Sequence, residues 1–312
     1  MTFRESITVT RSPRGNWFVS ATLDPGKVVE YDTAGRRILR VHGRRGNGPG
    51  EFMAAGPPLF LSDTLVIFDL RLQRVATFTS DQRLFATANV PGRITGYLAL
   101  PDGNLLVNGV MQSAAHVGYP LHVISRSGRV LSSFGADLPS YRADLPVLQM
   151  RKLASSPDGR FWAAGNSTFE IELWDAGGTR HLHLTRAGGL FEPWERSPGP
   201  VQAVRPNSSL TGVWQEGGHL WLTFLVPDAN WRPTVNLKSR AETPLPPLTP
   251  EELKGLWDTV VEVVDFRTAR VVARTRFDAV MRPTFEGGYM YHYVEGSDGM
   301  PSFQVLRPTL RQ

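Results

Sequence analysis

One short pattern recurs along the chain: a strand, a tight polar turn containing Gly or Asp, and a second apolar strand. It reads SPRGNWFVS at 12–20, LPDGNLLVN at 100–108, SPDGRFWAA at 156–164, QEGGHLWLT at 215–223 and FEGGYMYHY at 285–293, with a degenerate sixth copy, LSDTLVIFD, at 61–69. Gly and Asp tolerate the positive φ that a tight hairpin turn requires. A second hairpin follows most copies, as in VVEYDTAGRRILRV (28–41), RVATFTSDQRLFATA (74–88), LHVISRSGRVLSSF (121–134), IELWDAGGTRHLHL (171–184) and VVEVVDFRTARVVARTRF (260–277). Two successive hairpins make a four-stranded antiparallel meander. Six such units cannot each bury both faces alone; packing them radially about an axis covers the faces and leaves short, protected edges. The expectation is an all-β, six-bladed β-propeller of four-stranded blades, one domain over residues 1–312. A sandwich made of similar short strands would not repeat one hairpin pair six times.

The segment after the first blade adds a family resemblance. GRRGNGPGEF (43–52) resembles the Gly-Pro-Gly-Glu/Gln-Phe linker of NHL-repeat propellers, and LVIFDLRLQRVATFTSDQRLF (65–85) resembles the rest of that repeat, with Asp69 ending the second strand and Arg74 opening the third. The match covers about residues 43 to 90; the other blades share the turn pattern, and the first has Ala21 where Asp is expected. Glu51 is expected to hydrogen-bond backbone donors of the linker, and Asp69 with Arg74 to form a structural pair between adjacent strands. Some relatives of this architecture are calcium-dependent lactonases or zinc-dependent amidating lyases. The resemblance therefore implies a metal-dependent hydrolase or lyase as the alternative to a non-enzymatic binding module.

The loops are unequal. Connections between strands 1 and 2, and between strands 3 and 4, share one face of the disc and are uniformly short here. Connections between strands 2 and 3, and between blades, share the other face and include Gly43 to Pro58, Gln112 to Pro120, Gly135 to Met150, Arg186 to Asn207 and Pro227 to Leu256. Loops beyond about 12–15 residues are uncommon unless functional or disordered, so this face is the expected binding surface. Drift on a tolerant surface is the competing account. The insertion at about 227–257 is expected to form a lid, with Thr249, Pro250 and Glu252 reading as N-cap, first helical position and capping-box acid of a short helix through Trp257. Trp231 and Trp257, with Phe191 and Trp194, would form an apolar rim or else pin their own loops.

Basic residues near the starts of the innermost strands, Arg4, Arg93, Arg151, Lys152 and Arg282, are expected around the channel at that face. Cations there would focus potential on a carboxylate or phosphate. Since 30 of the 34 basic residues are Arg, chance placement is the competing reading. His292, among Tyr289, Tyr291 and Tyr293, joins the candidate ligand-binding set, against the ordinary role of a packed, hydrogen-bonded histidine. His181 and His183 share one face of an outer strand without a third ligand beside them. His42, His116, His122 and His219 do not fall at equivalent blade positions, as an amidating lyase would require. No metal set, cofactor motif, G-x-S-x-G elbow or phosphate loop is present, and no catalytic residue can be assigned.

Composition narrows the remaining classes. There is no Cys, which removes disulfides and thiolate chemistry. The formal charge of +5 is spread singly and in pairs, so nucleic acid is an improbable partner, and a protein, peptide or small anionic ligand is expected instead. No apolar run approaches the roughly 20 residues of a transmembrane span. The last blade supplies strands at 281–285, 289–295 and 302–306 and then ends, so its fourth strand is missing from the count. Closed propellers commonly take that strand from the N-terminus, but Ser6 to Arg11 already serves the first blade. The expectation is an internal methionine start, with upstream residues holding the closing strand and, from the family resemblance, an export signal.

Overall fold

Gly15, Gly103, Gly159 and Gly218 have φ between +81° and +87°, a backbone region in which side chains with Cβ are strained, and each sits in a turn between the first two strands of a blade. The hairpins they close are those read from the repeat. The structure, a computed structural model, describes residues 7–21, 26–61, 64–79, 81, 83–113, 115–135, 149–186, 188–196, 203–233, 255–286, 288–295 and 301–311, and every structural statement concerns these.

The chain forms six consecutive antiparallel sheets. The first is β1 to β4 (Ile7–Arg11, Trp17–Ala21, Val28–Tyr31, Ile38–His42), and the second is β5 to β8 (Leu59–Leu61, Thr64–Asp69, Arg74–Phe78, Leu84–Asn89). The third is β9 to β12 (Gly92–Ala99, Leu105–Met111, Leu121–Ile124, Val130–Phe134), and the fourth is β13 to β16 (Arg151–Ser155, Phe161–Gly165, Glu170–Trp174, Arg180–Thr185). The fifth is β17 to β20 (Ser209–Glu216, His219–Pro227, Trp257–Asp265, Arg270–Phe277), and the sixth has three strands, β21 to β23 (Arg282–Pro283, Met290–Glu295, Pro301–Leu306). This is the six-bladed propeller expected, with the last blade one strand short.

Burial gives the radial order. β4, β8 and β20 are largely exposed, so the fourth strand is the rim and the first faces the axis. The core lies between blades: Phe68 and Val75 pack with Tyr97, Leu105 and Val107 of the next blade, and Trp162 and Ile171 with Leu222 and Phe224. Each such side chain contributes about 2 kcal/mol on leaving water. Close approach has its own requirement at Gly212, where a Cβ would lie 2.5 Å from Cγ of Pro283 on the neighbouring blade.

Buried acids hold the third strands. Glu30 accepts from Asn16 at 2.8 Å and meets His42 at 3.1 Å. Glu172 accepts from Arg180 at 2.9 Å and from the Trp174 indole at 3.2 Å. Glu262 is paired with Arg274 and, at 2.8 Å, with Arg186 from the end of the preceding blade. Glu172 and Glu262 are fully buried, and a buried carboxylate is tolerable only with such partners.

The linker motif is equally structural. Asp69 is 1% exposed and accepts from the backbone N–H groups of Met53, Ala54, Arg71 and Leu72. Arg74 donates to the carbonyls of Asn47, Gly48 and Glu51, while Glu51 accepts from Gly48 N and Arg44. Phe52 is fully buried beside Phe18 and Phe78. In the third blade Asn108 does the corresponding work, binding the carbonyls of Pro120 and Gln149 and accepting from Arg151 N.

The sixth blade meets the first through its inner strands. Phe285 N donates to Val9 O at 2.9 Å, the Tyr291 hydroxyl donates to Ile7 O at 2.7 Å, and the Arg11 guanidinium stacks on Trp17 and Tyr289, bonding the Tyr289 hydroxyl.

Candidate functional site

The axial channel is the concave feature that all six blades share, and its two mouths differ in chemistry. At the long-loop end, β13 begins with two adjacent cations. Because side chains alternate along a strand, Arg151 and Lys152 leave on opposite sides. Arg151 turns into the blade: its side chain is 2% exposed and lies 3.8 Å from Glu170, and burial lowers its pKa while Glu172 and Glu170 oppose that. Lys152 is half-buried, and burial followed by the positive charge of Arg282 depresses its ammonium below the ordinary lysine value. The fifth blade separates these two residues, so they influence one another through the channel. Neither side chain has a hydrogen-bonding or ion-pair partner among the described residues. Arg93 is exposed at the start of β9, and Arg4 lies outside the described residues.

The aromatic candidates take separate positions. Phe191 is no rim residue: it is fully buried against Phe169 and Phe224, filling the space between blades four and five. Trp194 is half-buried, donates its indole N–H to Ser208 O at 2.7 Å and its backbone N–H to Ser167 O, so it ties its loop to the blade. Trp231 and Trp257 are half-buried at the two ends of the insertion, Trp257 pairing with Pro227 across β18 and β19. The expected helix at Thr249, Pro250 and Glu252 falls outside the described residues. His292 meets Gln304 at 3.1 Å on the adjoining strand. His181 is bound to Asp175 at 2.9 Å.

Between the mouths stands an aromatic contact. Phe285, from the sixth blade, places its ring 5.1 Å from that of Tyr97 on the third, which is diametrically opposite in a ring of six. Tyr97 in turn lies 4.3 Å from Phe68 and donates its hydroxyl to Pro57 O at 2.7 Å. Burial first, and the nearby Glu286 charge second, raise the Tyr97 phenol well above its ordinary pKa, so it remains a neutral donor.

Beyond that contact, at the short-turn end, lies a cavity of about 450 Å³. Phe60, Leu61 and Leu100 supply apolar wall, Arg126 and Arg160 approach from turns, and Glu286 enters from the sixth blade. Glu286 has φ of +64°, a left-handed conformation uncommon for a residue with a side chain. Glu286 is exposed, and desolvation of its carboxyl by the neighbouring protein pushes its pKa from the ordinary 4.5 up to about 7.

Three carboxylates meet elsewhere: oxygens of Asp228, Asp258 and Asp278 lie within 4.8 Å of one another. They sit at strand ends two to four of the fifth blade, off the axis. Asp258 is paired with Arg276, and its Oδ1 has no hydrogen-bond partner. Desolvation raises the Asp258 pKa, with Asp228 and Asp278 adding to it and Arg276 opposing.

No protein-family model matches the chain, and no curated protein matches it by sequence. Solved structures do match in fold. A Bacteroides fragilis protein aligns with TM-score 0.58 and 10% identity over 94% of this chain and 84% of its own. A member of the DUF4221 family from Bacteroides vulgatus aligns with TM-score 0.55 and 9% identity, covering 97% and 93%. Virginiamycin B lyase from Staphylococcus aureus aligns with TM-score 0.50 and 10% identity, covering 97% and 84%. At these identities the likeness is one of fold.

Proposed function

We propose that this chain is an NHL-type propeller acting as a non-enzymatic binding module, whose long-loop mouth holds a small anion, free or as the terminal carboxylate of a peptide. The observation that carries the reading is the pair Lys152 and Arg282: two cations facing one channel with no acid partner among the described residues. Leaving like charges together in a partly desolvated site is unfavourable, and an anion between them relieves the repulsion. Arg93 stands at the same mouth, and Trp194, Trp231 and Trp257 belong to the loops around it. The NHL assignment is supported by Asp69 and Arg74, which hold the Gly-Pro-Gly-Glu-Phe linker through backbone groups.

Titration calorimetry with inorganic phosphate and with acetate tests the site. Binding that weakens with salt and falls at least about tenfold in Lys152→Met and in Arg282→Met is expected. Equal affinity in wild type and both variants would remove the assignment. The alternative, a metal-dependent hydrolase or lyase, draws on Asp228, Asp258 and Asp278. Stoichiometric calcium or zinc in the purified protein, released only by chelator, would favour it over the binding module.

A further inference from the structure

The short-turn cavity has an electrostatic character of its own, and we infer that it is a second binding site, taking a small organic cation, an amine or guanidinium on an apolar body, with Glu286 as its counter-charge. The inference goes beyond the anion site and rests on different residues.

The polar groups of the lining are mostly committed. Arg160 is held by Asp158, its Nε lying 2.9 Å from Oδ2, and Arg126 donates to Gly103 O at 3.0 Å. Asp102 accepts from the backbone and side-chain nitrogens of Asn104 at 2.9 and 2.8 Å. The Glu286 carboxyl has no hydrogen-bonding or ion-pair partner among the described residues, although it reaches the cavity from the far side of the axis. Its left-handed φ orients it there, and backbone strain of this kind is retained where surrounding structure enforces it. Arg126 and Glu286 are exposed and Arg160 is half-exposed, but the two guanidiniums are engaged by Gly103 O and Asp158, which leaves Glu286 as the lining charge with no partner among the described residues. The volume of about 450 Å³ suits a compact ligand with one charged group. An ammonium would donate charge-assisted hydrogen bonds to the carboxylate and set its apolar part on Phe60, Leu61 and Leu100.

The titration of the site has a defined sign. The charged and titratable groups around Glu286 are Tyr97, whose raised pKa keeps it neutral at these pH values, and Asp102, Arg126 and Arg160. A cationic ligand selects the carboxylate, so binding at neutral pH releases a proton from Glu286 to buffer, and acidification competes with the ligand.

Benzylamine, with benzyl alcohol and benzoate as neutral and anionic isosteres, is the probe set, titrated into the full chain by calorimetry. Benzylamine is expected to bind and the isosteres at least about tenfold more weakly. Affinity should fall about tenfold between pH 8 and pH 5.5, and the heat near pH 7 should depend on buffer ionisation. Glu286→Gln should lose at least about tenfold, while Lys152→Met, at the other mouth, should leave benzylamine unchanged. The wild-type pH series and isostere comparison decide the matter even if the variant folds poorly. Benzoate or benzyl alcohol binding as tightly as benzylamine, pH-independent affinity, or no benzylamine binding would each overturn the inference. Absence of phosphate binding by the wild-type chain, with benzylamine binding intact, would instead remove only the anion site.

Discussion

The two ends of the channel differ in the opposite sense to their loops. The long-loop end carries the irregular segments, yet among the described residues its distinguishing feature is a pair of cations on inner strands, Lys152 and Arg282. The short-turn end has the plainest connections and holds the cavity of about 450 Å³. Loop length measures what a surface tolerates; the charge on first strands and turns decides what the axis can bind.

Substitutions that break or sharpen this contrast can be ranked by expected effect. Asp69→Ala should cost about 3–5 kcal/mol in urea unfolding, since it leaves four backbone donors without their acceptor and removes the Arg74 counter-charge on the long-loop side. Phe285→Ala should cost about 2–3 kcal/mol. It should also join the two compartments, so that phosphate alters benzylamine affinity in the variant and leaves it unchanged in wild type. Lys152→Met should raise stability by about 1 kcal/mol, because a half-buried ammonium facing another cation is replaced by an apolar chain of similar length. The smallest change should come at the other mouth, from Glu286→Gln. Folding raises the Glu286 pKa from 4.5 to about 7, so its contribution is fully present below about 4.5 and is lost as pH rises through about 7. The variant should therefore melt higher than wild type at pH 8, with the difference closing by pH 4.5. A gap that widens on acidification would contradict that assignment.

The blades were legible because hairpin turns need glycine at fixed offsets, and Gly15, Gly103 and Gly159 mark them in the sequence as clearly as in space. The two classes of loop followed from topology alone. Single side chains were less legible. Arg151 and Lys152 look equivalent in sequence, and a period of two sends one into the blade and the other to the channel. Phe191 lies in a Pro- and Gly-rich loop, where an aromatic reads as rim until its packing on Phe169 and Phe224 is seen. Glu286 hides inside a turn motif, in which charge ordinarily means solvent. Asp228, Asp258 and Asp278 belong to no spacing pattern because three different strand ends bring them together. The buried acids did leave a signal, a Glu within an otherwise apolar stretch of the third strand in VVEY, IELW and VVEVV.

β21 and the turn after it pass through all of these regions within five residues. Arg282 stands with the cations, Phe285 fills the axis and Glu286 enters the cavity. The Phe285 ring meets Tyr97 across the axis, and the backbone passes beside that contact. One five-residue stretch thus carries a charge for each mouth and the aromatic ring between them.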